Sequence, residues 1–178
     1  MVANDRFTDE QRKSLGDRQG DQDRALAAMH RLEATLESAA FGREDEWREE
    51  VLVSLTILHA VSVQAEDEAV RPDSLLSDIA WNQPRLRNRV RGIRTQYRRL
   101  RDTIEAILSE QSSGEPVDSD DLRNRLAWIL IAIRHVRSRE SDLIYEAYFD
   151  AFRAELAEEP RQPLRLVEPA ERLIDEDS

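Results

Sequence analysis

The 178-residue chain has no cysteine, which removes disulfides, thiolate metal sites and cysteine nucleophiles from consideration. It has one lysine against 25 arginines, a bias that reflects GC-rich coding and carries no functional weight. Glycine is scarce, with five residues, and β-branched clusters are few. No run alternates apolar and polar residues as a strand would, so sheet architectures are excluded. Long apolar runs are also missing: the longest, VLVSLTILHAVSV, has 13 residues, short of the roughly 18 to 20 that a membrane span needs. The N-terminal MVANDRFTDEQRKSL lacks the apolar region of a signal peptide, and the expected location is cytoplasmic, with no membrane association. Positive charge is in deficit, at a net −11, which argues against nucleic acid or an anionic membrane as the default partner. A local basic patch remains compatible with that total.

Stretches rich in Ala, Leu, Glu and Arg instead predict an all-α protein. Residues 1–21 read as a polar, flexible leader. A first helix follows, with Ala25, Met29, Leu32, Leu36 and Ala39 on one face at alternating steps of four and three, and Gly42 as its stop. The second helix runs from about Glu44 to Val70 and ends before Arg71-Pro72, because a proline ring disfavours helical geometry in the residue preceding it. SLLSDIAWNQP predicts one or two helical turns. A third helix, from about Pro84 to Ser109, carries the regular seam Leu86, Val90, Ile93, Tyr97, Leu100, Ile104 and Ile107. SSGEPVDSDD reads as a loop, and Asp118 or Ser119 caps a fourth helix reaching about Ala157. Its seam is Leu122, Leu126, Ile129, Ile133, Val136, Glu140, Leu143 and Ala147. Residues 158–178 hold three prolines and many charges, and predict an extended acidic tail with LRLV packing on the body.

Four amphipathic helices joined by short connections bury their stripes most simply as an up-down-up-down four-helix bundle over residues 22–157. Bundle sites are built from polar side chains in the seams. On the second helix Leu52, Leu55, His59, Ser62, Glu66 and Ala69 share a face, which turns Glu66 inward. His30 and Glu33 flank the stripe of the first helix, Tyr97 lies in that of the third, and Glu140 interrupts that of the fourth. His30, Glu66, Tyr97 and Glu140 are therefore expected at one level of the bundle.

HRLEATL, QAEDE followed by LLSDI and a proline, RTQYRRL and RHVRSRESDLIYEAY together resemble the hemerythrin-like (HHE) cation-binding family over about residues 24–150. That family's bundle carries His on the first helix, His-x-x-x-Glu on the second, His on the third and His-x-x-x-Glu on the fourth. The resemblance implies a hemerythrin-like bundle and, for a complete motif, a di-iron site. His30, Glu66 and Glu140 match it, whereas Ser62, Tyr97 and Val136 stand where histidines are expected. His135 is rotated about 100° from the Val136 position, and His59 lies seven residues before Glu66, about 10 Å along the axis. A di-iron centre depends on imidazole donors beside its carboxylates. The expectation is a vestigial site at His30, Glu66, Tyr97 and Glu140 with no cofactor. Inward carboxylates need partners, since burial and mutual repulsion both oppose their charge. His30, the Tyr97 hydroxyl and an arginine such as Arg94 or Arg101 are expected to supply them.

No nucleophile–base pair and no glycine-rich phosphate loop occurs, so no enzyme is expected. The leading reading is a non-catalytic scaffold or interaction module with an unidentified protein partner; residual iron binding with oxygen or redox sensing is the first alternative. A second comes from the eight arginines between Arg85 and Arg101, among them Arg87, Arg91, Arg94, Arg98 and Arg101 at helical spacing, which could bind phosphate or nucleic acid. Pairing with the acidic second helix (Glu44, Asp45, Glu46, Glu49, Glu50, Asp67, Glu68) is favoured over that. Tyr148 and Phe152 beside Tyr145 make a homodimer plausible.

Overall fold

A computed structural model describes residues 6–38, 40–113 and 118–158. All regular elements among them are helical: α1 (Asp9–Glu37), α2 (Glu44–Val70), α3 (Leu75–Asn82), α4 (Arg87–Ser112), α5 (Ser119–Ala147) and α6 (Phe149–Glu158), with a 3₁₀ turn at Pro84–Leu86 leading into α4. None of them is long and apolar enough to cross a membrane. The expected packing of Leu164–Val167 on the body lies outside the described residues, as does Ala39.

α2 has the bounds its sequence predicts, and the segment after it forms α3, capped by the Ser74 hydroxyl, which accepts from the Ser77 amide. The turn between α1 and α2 closes through Arg43 N–H donating to the Ala40 carbonyl at 2.9 Å, with Gly42 at φ 76°, a conformation that glycine adopts without steric cost.

Two boundaries differ from expectation. α1 starts at Asp9, thirteen residues before the expected start, because Thr8 opens a capping box. Its hydroxyl accepts from the Gln11 amide at 3.2 Å, and its own amide donates to the Gln11 side chain at 3.0 Å. Asp9 and Glu10 then sit at the positive end of the helix dipole. Replacing Thr8 with alanine is expected to cost about 1 kcal/mol and to fray the first turn. Urea midpoints with amide exchange at Gln11 and Arg12 check this; wild-type values for both would show that the cap contributes nothing.

The second difference lies in the fourth predicted helix, which is interrupted at Tyr148 (φ −116°, ψ 21°) to leave α5 and α6. The Tyr148 ring packs on Phe7 at 5.4 Å between centroids and its hydroxyl donates to Asp78. Phe7 also meets the Phe152 ring edge-on at 4.8 Å and is itself buried. Tyr148 and Phe152, expected to offer a dimer surface, are thus half-buried within their own chain, while Tyr145 stays exposed.

α1 packs on α2, α2 on α4, α4 on α5, and α5 touches α1. Their apolar faces make two core clusters. One gathers Met29, Leu32, Trp47, Leu55, Ile104 and Leu126, among others; the other includes Leu76, Ile79, Val90, Ile93, Tyr97 and Leu143. Leu100 packs against both. Along each helix the change from one cluster to the other falls at a definite level. On α2 it lies between Leu58 and Ala69, on α5 between Ile133 and Val136, and on α1 between Leu15 and Ala28. Two of the buried polar residues, Ser62 and Glu66, lie at that level.

Candidate functional site: two carboxylates at the junction of the core clusters

Glu140 comes from α5, where Val136 and Leu143 on the same face are buried and hold the helix in register. Its side chain is 13% exposed. The Tyr97 hydroxyl on α4 donates to Glu140 Oε2 at 2.7 Å, and Arg18 Nη2 on α1 lies 3.6 Å from the same oxygen. Arg18 also donates to Ser141 Oγ at 2.9 Å and, with the Gln22 amide turned so that its oxygen faces the guanidinium, to Gln22 at 2.7 and 2.8 Å. Tyr97 is 5% exposed. Burial, and then the charge and hydrogen bond of Glu140, push its phenol well above the usual tyrosine range, against the opposing pull of Arg137 and Arg18.

Glu66, on α2, has different partners. Arg98 Nε lies 3.3 Å from Oε1 and Arg101 Nη1 2.5 Å from Oε2, both from α4. Tyr97 and Arg98 are adjacent in sequence and so about 100° apart around the helix. Arg101, four residues after Tyr97, is only about 40° from it, so one continuous surface of α4 answers both glutamates. The residues standing at the three expected histidine positions are committed otherwise: Ser62 donates to the Leu58 carbonyl of its own helix at 2.8 Å, Val136 is buried apolar packing, and Tyr97 holds Glu140.

His30 does not join them. It is exposed, while Met29 beside it takes the core position. The reason is the true start of α1. With the helix beginning at Asp9, the junction level on α1 falls near Arg18 and Gln22, and His30, twelve residues beyond Arg18, lies about 18 Å further along the axis. His135 is exposed, and His59 is half-buried with no partner for Nε2. Among the described residues no group of three or more His, Asp or Glu stands close enough to hold a metal ion. A phenol, a hydroxyl turned back on its own helix and a valine do not fit the donor requirements of a di-iron pair.

The arginines of α4 are largely engaged inside the molecule. Arg94, which burial pushes down, donates to the Ala69 carbonyl at 2.8 Å and to Ser77 Oγ at 2.7 Å, so it caps the end of α2 and not a glutamate. Arg85, in the 3₁₀ turn that leads into α4, and Arg89 both hold Glu146, and Arg87 donates to the Ala80 carbonyl at 3.2 Å. Their acidic partners are Glu66, Asp102 and Glu146. The acids expected from α2 pair elsewhere, Glu68 with Arg71, and Glu46 and Glu50 with Arg43.

No known protein family, curated protein or solved structure matches this chain.

Arg18 escaped the sequence reading although its signal was present. Leu15, Arg18, Gln22, Ala25 and Met29 continue the three-and-four spacing of the α1 seam toward the N-terminus. Arg98 belongs to the basic stripe expected to pair with the acidic second helix, and its partner there is Glu66, which is not among the seven acids named for that pairing; Arg137, which also lies beside Tyr97, has no seam position to single it out.

Proposed function

We propose that the chain is a hemerythrin-like four-helix bundle of up-down-up-down topology whose metal-ligand positions have been replaced by internal ion pairs and hydrogen bonds, and that it works as a non-catalytic scaffold or interaction module in the cytoplasm. The observation that carries this reading is that both carboxylates of the vestigial motif are already answered by side chains of the same protein: Glu140 by Tyr97 and Arg18, and Glu66 by Arg98 and Arg101. The cyclic contacts α1–α2–α4–α5–α1 support the topology. An interaction role is supported by Trp128 and Ile131, which are 70% and 53% exposed about one turn apart on the outer side of α5.

The test is elemental analysis of protein purified without chelators from iron-supplemented cells. Iron, manganese and zinc are expected well below one atom per chain. One or two equivalents of iron that disappear in Glu140→Gln or Glu66→Gln would overturn the reading in favour of a working metal centre.

A further inference from the structure

Beside the Tyr97–Glu140 pair lies a cleft of about 40 Å³ to which α1, α2, α3, α4 and α5 all contribute, with Arg18, Tyr97, Arg137 and Glu140 in its wall. A second space of about 20 Å³ lies against Leu58, Ser62, Leu100 and Ile133. Tyr97, Arg137 and Ala65 line both.

The charges around the larger cleft are unevenly answered. Each of its three carboxylates has a cationic partner: Glu140 has Arg18 together with the Tyr97 hydroxyl, Asp21 has Arg24, and Glu68 has Arg71 at 2.8 Å. Arg137 is different. It is half-buried, it lies near enough to Tyr97 to act on the phenol electrostatically, and among the described residues it makes no hydrogen bond or ion pair. A half-buried guanidinium without a counter-ion keeps its planar fork of donors open, and that fork matches a planar anion in two parallel hydrogen bonds. With every lining carboxylate already engaged, a cation would have to displace an arginine, whereas an anion meets an open donor set.

Size narrows the class further. A bound water needs roughly 10–15 Å³ of such space, so the cleft holds the equivalent of about three waters, far from the several hundred Å³ of a site for a large metabolite. Ala65, Ala69, Leu75 and Leu76 contribute apolar lining to it. We propose that this cleft binds a small planar anion, a monocarboxylate or an inorganic oxyanion of three or four heavy atoms, held by the Arg137 guanidinium beside the Tyr97–Glu140 pair. This goes beyond the scaffold reading and does not depend on it, because it rests on Arg137 and the cleft alone.

The experiment titrates the purified full chain with sodium acetate and, separately, sodium nitrate, replacing sodium chloride at constant ionic strength, and follows binding by calorimetry and by the unfolding midpoint. At least one of the two anions is expected to bind saturably, one per chain, with a Kd on the order of millimolar. Acetate binding assigns an organic acid, and nitrate binding alone an inorganic oxyanion. Arg137→Gln should weaken binding by about tenfold or more, and Arg137→Lys, which keeps the charge but loses the fork, by an intermediate factor. The salt-free unfolding midpoint of both variants should stay close to wild type, since Arg137 has no internal bond to lose. Absence of saturable binding for both anions, or undiminished affinity in folded Arg137→Gln, would overturn the proposal.

Discussion

Replacing Trp47 with alanine is expected to lower stability by about 3–5 kcal/mol. For a chain of this length, where each kcal/mol moves the midpoint by roughly 2–4 °C, that is a fall of about 6–20 °C. Trp47 is completely buried in the first turns of α2. Its indole N–H donates to the Thr35 carbonyl at 3.0 Å, at the C-terminal end of α1, where the Ser38 amide and hydroxyl donate to the same oxygen. The Arg123 guanidinium lies 5.1 Å from the ring centroid and reaches on to the Leu36 carbonyl. One side chain thus fills the end of the larger core cluster and ties α1, α2 and α5 together. Trp47→Phe keeps much of the volume and loses the hydrogen bond, and should recover more than half of the loss. Thermal melts followed by circular dichroism decide the matter: a shift of only a degree or two in the alanine variant would mean that neither cavity nor anchor carries the expected cost.

The second large effect appears in alkali. The Tyr97 phenol is raised by burial and by Glu140, and the Tyr148 phenol by burial and by its bond to Asp78. Both therefore keep their protons in the folded state at a pH where the unfolded chain gives them up. Their contribution is fully present below the unfolded value near pH 10 and is lost as pH rises above it, at about 1.4 kcal/mol per pH unit for each group. With two such tyrosines the slope is roughly 2.7 kcal/mol per unit. The background is quiet, because the chain has a single lysine and its arginines hold their charge in this range. Tyr97→Phe should halve the slope. It should also cost about 1–3 kcal/mol at neutral pH, where Glu140 would lose its best donor. Urea midpoints measured from pH 9 to 11 provide the test, and an unchanged slope in Tyr97→Phe would show that the phenol is not held as described.

Much of the helical architecture could be read from residue patterns because apolar spacing and chain breakers agreed. α2 ends where Arg71-Pro72 requires, and the seam from Val90 to Ile107 is continuous. The start of α1 is hard to read because residues 9–21 carry two glycines and few apolar side chains, so the seam continues there through the polar Arg18 and Gln22 while Thr8 and Gln11 form the cap. That single misplacement moved the expected polar layer along the helix and put His30 where Arg18 belongs. The partners of Glu140 and Glu66 were partly legible: Tyr97 and Arg101 were anticipated, while Arg18 and Arg98 required knowing which helix faces meet. No spacing rule reveals that Arg137 lacks a partner, because that depends on what surrounds it in three dimensions.

The ring cluster of Phe7, Tyr148 and Phe152 joins residues at opposite ends of the described chain. Under a mechanical load applied near residues 6 and 158, tension reaches this clasp first, since it bridges the two points of attachment before any long helix seam is stretched. A few ring contacts resist less than the extended interfaces of α2 with α1 and α4. The clasp therefore acts as a weak link in series with a stronger body, and stretching the molecule should open its ends while leaving the junction around Tyr97 and Glu140 closed.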